Sequence, residues 1–169
     1  MRFLKKELWY PDDDNDEVEQ KRVDAATAYL EYLEERKEQF PKKFFHEFFK
    51  TRYFHDYAVK SIKIDGDAWC YWKKSDVVTI EIRFDQMEYT IVFDKISYLK
   101  LLNEQRETCW HNNGESYSSS PTNGMEEIVL SEIYVLDDKN FSFEFLTCSG
   151  AIFEIHFQSV KINKRKIYY

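Results

Sequence analysis

The sequence predicts an α+β fold, with one or two N-terminal helices packed on one face of a mostly antiparallel sheet of about six strands. Three observations predict it. Over residues 16–39 apolar residues recur at three- and four-residue spacing, and neither Gly nor Pro interrupts them. From Val78, and again from Phe141, apolar and polar residues alternate with period two. The alternating runs are joined by short turn sequences, Asp85-Gln86, Asp137-Asp138-Lys139-Asn140 and Ser149-Gly150, of the kind that link antiparallel neighbours.

Residues 1–10 carry apolar bulk in Phe3, Leu4, Leu8, Trp9 and Tyr10, and fit either a short strand or one helical turn. The acidic run Asp12, Asp13, Asp14, Asn15, Asp16, Glu17 comes next. Asn15 or Asp16 is the expected N-cap, and carboxylates suit the positive end of a helix dipole. A docking patch for a basic partner is the other reading of the same residues. Val18, Arg22, Ala25, Ala26, Tyr29, Leu30 and Leu33 form the inner stripe of the first helix. Pro41 suits the first turn of a second. There Phe44, Phe45, Phe48 and Phe49 make two i,i+4 pairs, expected to enter the sheet as one aromatic face. The helical part therefore covers 16–50.

The sheet part covers 56–162. Thr51 to Phe54 carries the change from helix to strand, and His55-Asp56-Tyr57 opens a strand over Ala58–Ile64 that ends at the turn Asp65-Gly66-Asp67. Ala68 to Trp72 fits a short strand or a loop over the core edge. Val78, Ile80, Ile82 and Phe84 mark a half-buried strand, and Tyr89–Phe93 returns antiparallel to it. Asp94–Leu102 keeps enough apolar character to continue as strand. Residues 103–124 form a polar loop of a length unusual inside a compact domain. Trp110, in its middle, is expected to dock, because an indole is costly to leave in water. Ile128–Ile162 reads as a three-stranded antiparallel unit. Lys161–Tyr169, with Lys161, Lys164, Arg165 and Lys166, is expected as an edge strand whose charges discourage pairing with another chain.

At 169 residues the chain is expected to be one domain, 1–169, able to bury a core without disulfides or a structural metal. Aromatic residues make up 18%, so bulky rings must dominate that core. The formal charge of -7 disfavours nucleic acid and attracts a basic partner. Cys70, Cys109 and Cys148 are far apart, with no CxxC and no zinc spacing. No apolar run is long enough to span a bilayer and the start has no apolar leader, so a cytoplasmic protein with free thiols and no membrane contact is expected.

Catalytic signatures are scarce. His55-Asp56 resembles the dipeptide of metal phosphohydrolases, but that chemistry needs two further ligands on a helical scaffold, and here the pair opens a strand. His46, His111 and His156 show no ligand spacing. Cys109-Trp110-His111 lacks the geometry of a nucleophile and its base. Glu132, Glu144 and Glu154 fall on neighbouring strands. Such carboxylates divide acid and base work only when their surroundings split their pKa values, and on a water-facing strand they merely solubilise. Four glycines leave no room for a phosphate loop. No catalytic, cofactor-binding or metal-binding residue is expected.

The opening Met1-Arg2-Phe3-Leu4-Lys5-Lys6-Glu7-Leu8, the strand entry His55-Asp56-Tyr57-Ala58-Val59, and the late Leu130-Ser131-Glu132-Ile133-Tyr134 and Phe153-Glu154-Ile155 resemble a family of small uncharacterised proteins from Gram-positive bacteria. The resemblance implies a helix followed by an antiparallel sheet, and it brings no activity. In class and charge the chain is also similar to the immunity proteins that neutralise bacterial toxins. The leading expectation is a non-catalytic protein-binding module, such as an immunity protein against a basic toxin. Its contact would use Asp12, Asp13, Asp14, Asp16 and Glu17 for charge, with Trp110 and Tyr117 as anchors. The alternative is a small-ligand-binding or metal-dependent hydrolytic protein using His55 and Asp56.

Overall fold

The computed structural model describes residues 2–5, 8, 15–65, 77–102 and 126–168. Asp12, Asp13, Asp14, the stretch 68–72 and the loop 103–124, with Trp110 and Tyr117, lie outside the described residues.

Helix α1 spans Asp16–Arg36. It begins where Asn15, in extended conformation, turns its side-chain oxygen onto the amides of Glu17 and Val18, two of the donors a first turn leaves unpaired. Lys37–Gln39 form one 3-10 turn, and α2 follows over Lys42–Lys50 with Pro41 at its N-cap. Tyr29 and Leu33 are buried, but Leu30, whose spacing placed it with them, is 45% exposed. Successive helical residues lie about 100° apart, so Leu30 cannot share the inward row of Tyr29. The aromatic face of α2 divides in the same way. Phe44 and Phe48 are buried, Phe45 is half-buried and Phe49 is 47% exposed. Only one of the two expected rows enters the sheet.

A left-handed turn ends α2. Arg52, Tyr53 and Phe54 have φ of 52°, 65° and 57°, a region that costs an L-residue roughly 1–2 kcal/mol. Three contacts hold it there. The Tyr53 amide donates to the Phe48 carbonyl at 2.7 Å. The Ser131 hydroxyl donates to the Tyr53 carbonyl. The Phe54 ring is fully buried against Phe44, Phe48 and Phe143.

The sheet has eight strands: β1 (Ala58–Asp65), β2 (Val77–Phe84), β3 (Met87–Asp94), β4 (Tyr98–Leu102), β5 (Glu126–Val135), β6 (Phe141–Thr147), β7 (Ile152–Phe157) and β8 (Ser159–Lys166). Their order is β4-β7-β6-β5-β1-β2-β3-β8, and all pairs are antiparallel. Eight strands replace the expected six or so because two long strands each break at a corner. Lys95 takes φ 56° between β3 and β4, and Gln158 bends the chain between β7 and β8. Across the corner the Ser97 amide still reaches the His156 carbonyl at 3.0 Å. One side of the corner pairs β3 with β8, the other β4 with β7.

Following neighbours from β1 through β2, β3, the β8–β7 strand, β6 and β5 returns to β1. The sheet thus folds over on itself and encloses the core. Ile80, Ile82, Ile91 and Phe93 line one half, and Ile133, Phe143, Ile155 and Phe157 line the other. Helix α2 reaches both halves through Phe44, whose ring sits 6.1 Å from Phe93, 5.6 Å from Phe143 and 6.5 Å from Phe157. Strand β5 pairs with β1 only at Glu126 and Glu127. Further along, α1 closes that edge. The Ile133 amide donates to the Tyr29 hydroxyl at 2.7 Å and the Val135 amide to the Tyr32 hydroxyl at 2.8 Å, which satisfies donors that would otherwise offer a pairing edge.

Candidate functional site

Strand register sets Glu132, Glu144 and Glu154 side by side on β5, β6 and β7, with Tyr134, Ser142 and His156 in the next row. The three acids, Ser142 and His156, read as the water-facing side in the sequence, are in fact covered or half-covered. Glu132 is 0% exposed, Glu144, Tyr134 and Ser142 are buried, and Glu154 and His156 are half-buried. A segment more than a hundred residues away in sequence takes the place of water. The amides of Arg2, Phe3 and Leu4 all donate to the Glu132 carboxylate, at 2.8 Å from Arg2 and 3.1 Å from Phe3. The Tyr134 hydroxyl lies between the two acids, bonded to Glu132 and 2.8 Å from Glu144. Burial first, then the two carboxylates, raise its pKa far above the usual 10, so the phenol stays neutral and donates. Phe3 then packs on the rings of Tyr29 and Tyr32. A carboxylate held by three amides and a phenol cannot accept a proton from a substrate without releasing this arm. The chemistry of Glu132 is that of an anchor.

Two more buried acids are similarly committed. Burial pushes the Glu47 carboxyl up, but Lys164 at 2.7 Å and Tyr89 at 3.2 Å outweigh it and hold the pKa below the ordinary value. Lys60 at 2.9 Å, against burial and with help from Arg165 at 2.7 Å, holds Glu88 low as well.

Those expected site residues that are described lie apart from this core. Asp16 and Glu17 are exposed in the first turn of α1, where Glu17 pairs with Lys21 at 2.6 Å. His55 Nδ1 is 2.9 Å from Asp56, both more than half exposed at the end of the left-handed turn. His156 Nε2 sits 2.9 Å from Glu154 under the ring of Tyr98, so it is less solvated than its place on a polar strand face implied. Among the described residues no three His, Cys, Asp or Glu side chains gather closely enough to hold a metal ion. Among them, too, no helix is long and apolar enough to cross a membrane.

The outward face of α1 is a surface that spacing alone did not reveal. Val23, Thr27 and Leu30 follow one another at i, i+4 and i+7, all exposed, with Val23 at 51%. Glu19, Asp24, Glu31, Glu34 and Glu35, also exposed, surround them. Val23 falling outside the inner stripe was the available signal. No protein-family model matches the chain, and no curated protein matches it.

Proposed function

We propose that the chain is a non-catalytic protein-binding module whose partner is a basic protein, and that an immunity protein against a basic toxin is the form of this reading its charge favours. The observation that carries it is the outward face of α1, where carboxylates frame the exposed Val23 and Leu30. Charge around an apolar centre is the layout that speeds encounter at the rim and gives affinity in the middle. The commitment of the buried acids to arm, tyrosines and lysines supports the same reading. In this proposal Asp12, Asp13, Asp14, Asp16 and Glu17 also supply charge, and Trp110 and Tyr117 have an anchoring role.

The test is recovery of the tagged chain from its host, with identification of what co-purifies at one-to-one ratio. A basic protein should be found, and its association with the Glu31→Lys, Glu35→Lys chain should slow and lose its salt dependence. Recovery of the chain alone, or an unchanged rate, sinks the proposal. The alternative hydrolytic reading on His55 and Asp56 is decided by metal analysis: stoichiometric metal that disappears in His55→Ala would favour it.

A further inference from the structure

Charge is sorted between the two helices. On α2, Lys42, His46 and Lys50 recur at i, i+4 and i+8 and are exposed, with Lys43 beside them. Along the same surface run the half-buried Phe45 and the exposed Phe49. The one acid of α2, Glu47, turns inward to Lys164 and Tyr89. In a chain of net charge -7 the outward face of α2 is therefore basic and aromatic, while that of α1 is acidic and aliphatic. The two helices are linked from beneath by Tyr53, which touches the buried side of α1. The Tyr53 ring lies 6.2 Å from Tyr29 of α1 and 5.4 Å from Phe49 of α2.

We propose that these faces are the two halves of one self-complementary contact, through which the chain forms a two-fold dimer, α1 of each copy lying on α2 of the other. Each face carries what the other lacks. Glu19, Glu31 and Glu34 meet Lys42, Lys43 and Lys50, and Val23 and Leu30 meet Phe45 and Phe49. Glu19 pairs with Arg22 within α1, and Glu34 with Lys37 of the following 3-10 turn, but both acids are largely exposed and such pairs are weak, so they do not compete strongly. Like faces repel, acid on acid and base on base, so α1 on α1 and α2 on α2 are disfavoured. Two-fold symmetry matters for size. A helix of nine residues is about 13 Å long, too short alone for a stable interface of about 1,600 Å², but an isologous dimer uses the contact twice. This inference does not depend on the basic partner proposed above, although the dimer would cover the same acidic face and the two would compete.

Charge reversal on each side, read by sedimentation velocity with circular dichroism as the control for folding, tests it. The native chain should dimerise, and more weakly as salt rises. A chain with Glu19→Lys, Glu31→Lys and Glu34→Lys should be monomeric, and so should one with Lys42→Glu, Lys43→Glu and Lys50→Glu. Mixing the two should restore a one-to-one dimer, because both contacts then join opposite charges. Phe49→Ala should weaken self-association at least about tenfold while circular dichroism shows the chain still folded. A native chain that stays monomeric at every concentration overturns the proposal, as does a mixture that fails to associate. Binding of the native monomer to phosphatidylserine vesicles, lost in the α2-reversed chain, would assign the basic face to a lipid surface instead.

Discussion

At Glu132 one carboxylate takes amide protons from Arg2, Phe3 and Leu4 and a phenol proton from Tyr134. Glu132→Gln keeps the shape but turns an NH2 towards these donors. It should destabilise the fold by on the order of 3 kcal/mol in urea titration and expose the arm to limited proteolysis. If the midpoint does not move, the arm is not anchored there. Tyr29→Phe strands the buried Ile133 amide and should cost about 1–3 kcal/mol. Tyr32→Phe should cost less, because the Val135 amide is only partly buried and water can replace the hydroxyl. Equal losses would contradict the difference in burial. The sequence placed Glu132 on a strand beside Glu144 and Glu154, but its burial was illegible. What covers it is 128 residues away, and no local pattern distinguishes a strand carboxylate under an arm from one in water.

Among elements, period-two alternation located the β2–β3 hairpin, its Asp85-Gln86 turn and the β5–β6–β7 unit, since one face of each is packed on the core. Helix spacing likewise located α1 and α2. It did not separate Phe44 and Phe48 from Phe45 and Phe49, because two adjacent aromatic rows look alike until something packs on one. The corner at Lys95 and the left-handed turn at Arg52 were hidden for another reason: neither carries the Gly that usually marks positive φ. That conformation makes a prediction. Arg52→Gly should be neutral or slightly stabilising, whereas His46→Gly inside α2 should cost about 1 kcal/mol. Thermal melts compare the two, and a loss at Arg52 matching that at His46 would rule out a left-handed backbone there.

For the whole molecule, the titrating groups mark out a window of pH. Glu47 and Glu88 have pKa values held below the ordinary 4.5. Their contribution is complete above that value and is lost as pH falls beneath it. Tyr29 and Tyr134 have pKa values pushed far above 10. Their neutral forms stabilise the fold fully below pH 10, and that contribution fades as pH rises beyond it. Melting temperature should therefore fall off on both sides, and Glu88→Gln should flatten the acid limb. Ultraviolet titration should show late-ionising tyrosines that normalise on unfolding. An acid limb unchanged in Glu88→Gln would remove this carboxylate as a cause. The arm at Arg2–Leu4 also sets an order of events during synthesis. It leaves the ribosome well ahead of Glu132, 128 residues behind Leu4, which at about 5–20 residues per second is an interval of several seconds or more. Through that interval the arm lacks its Glu132 anchor, because β5 has still to be made, although Tyr29 and Tyr32, on which Phe3 packs, are already present. The arm thus completes its docking only once β5 exists, and a nascent chain stalled before β5 should leave Arg2–Leu4 open to proteases that the folded protein resists.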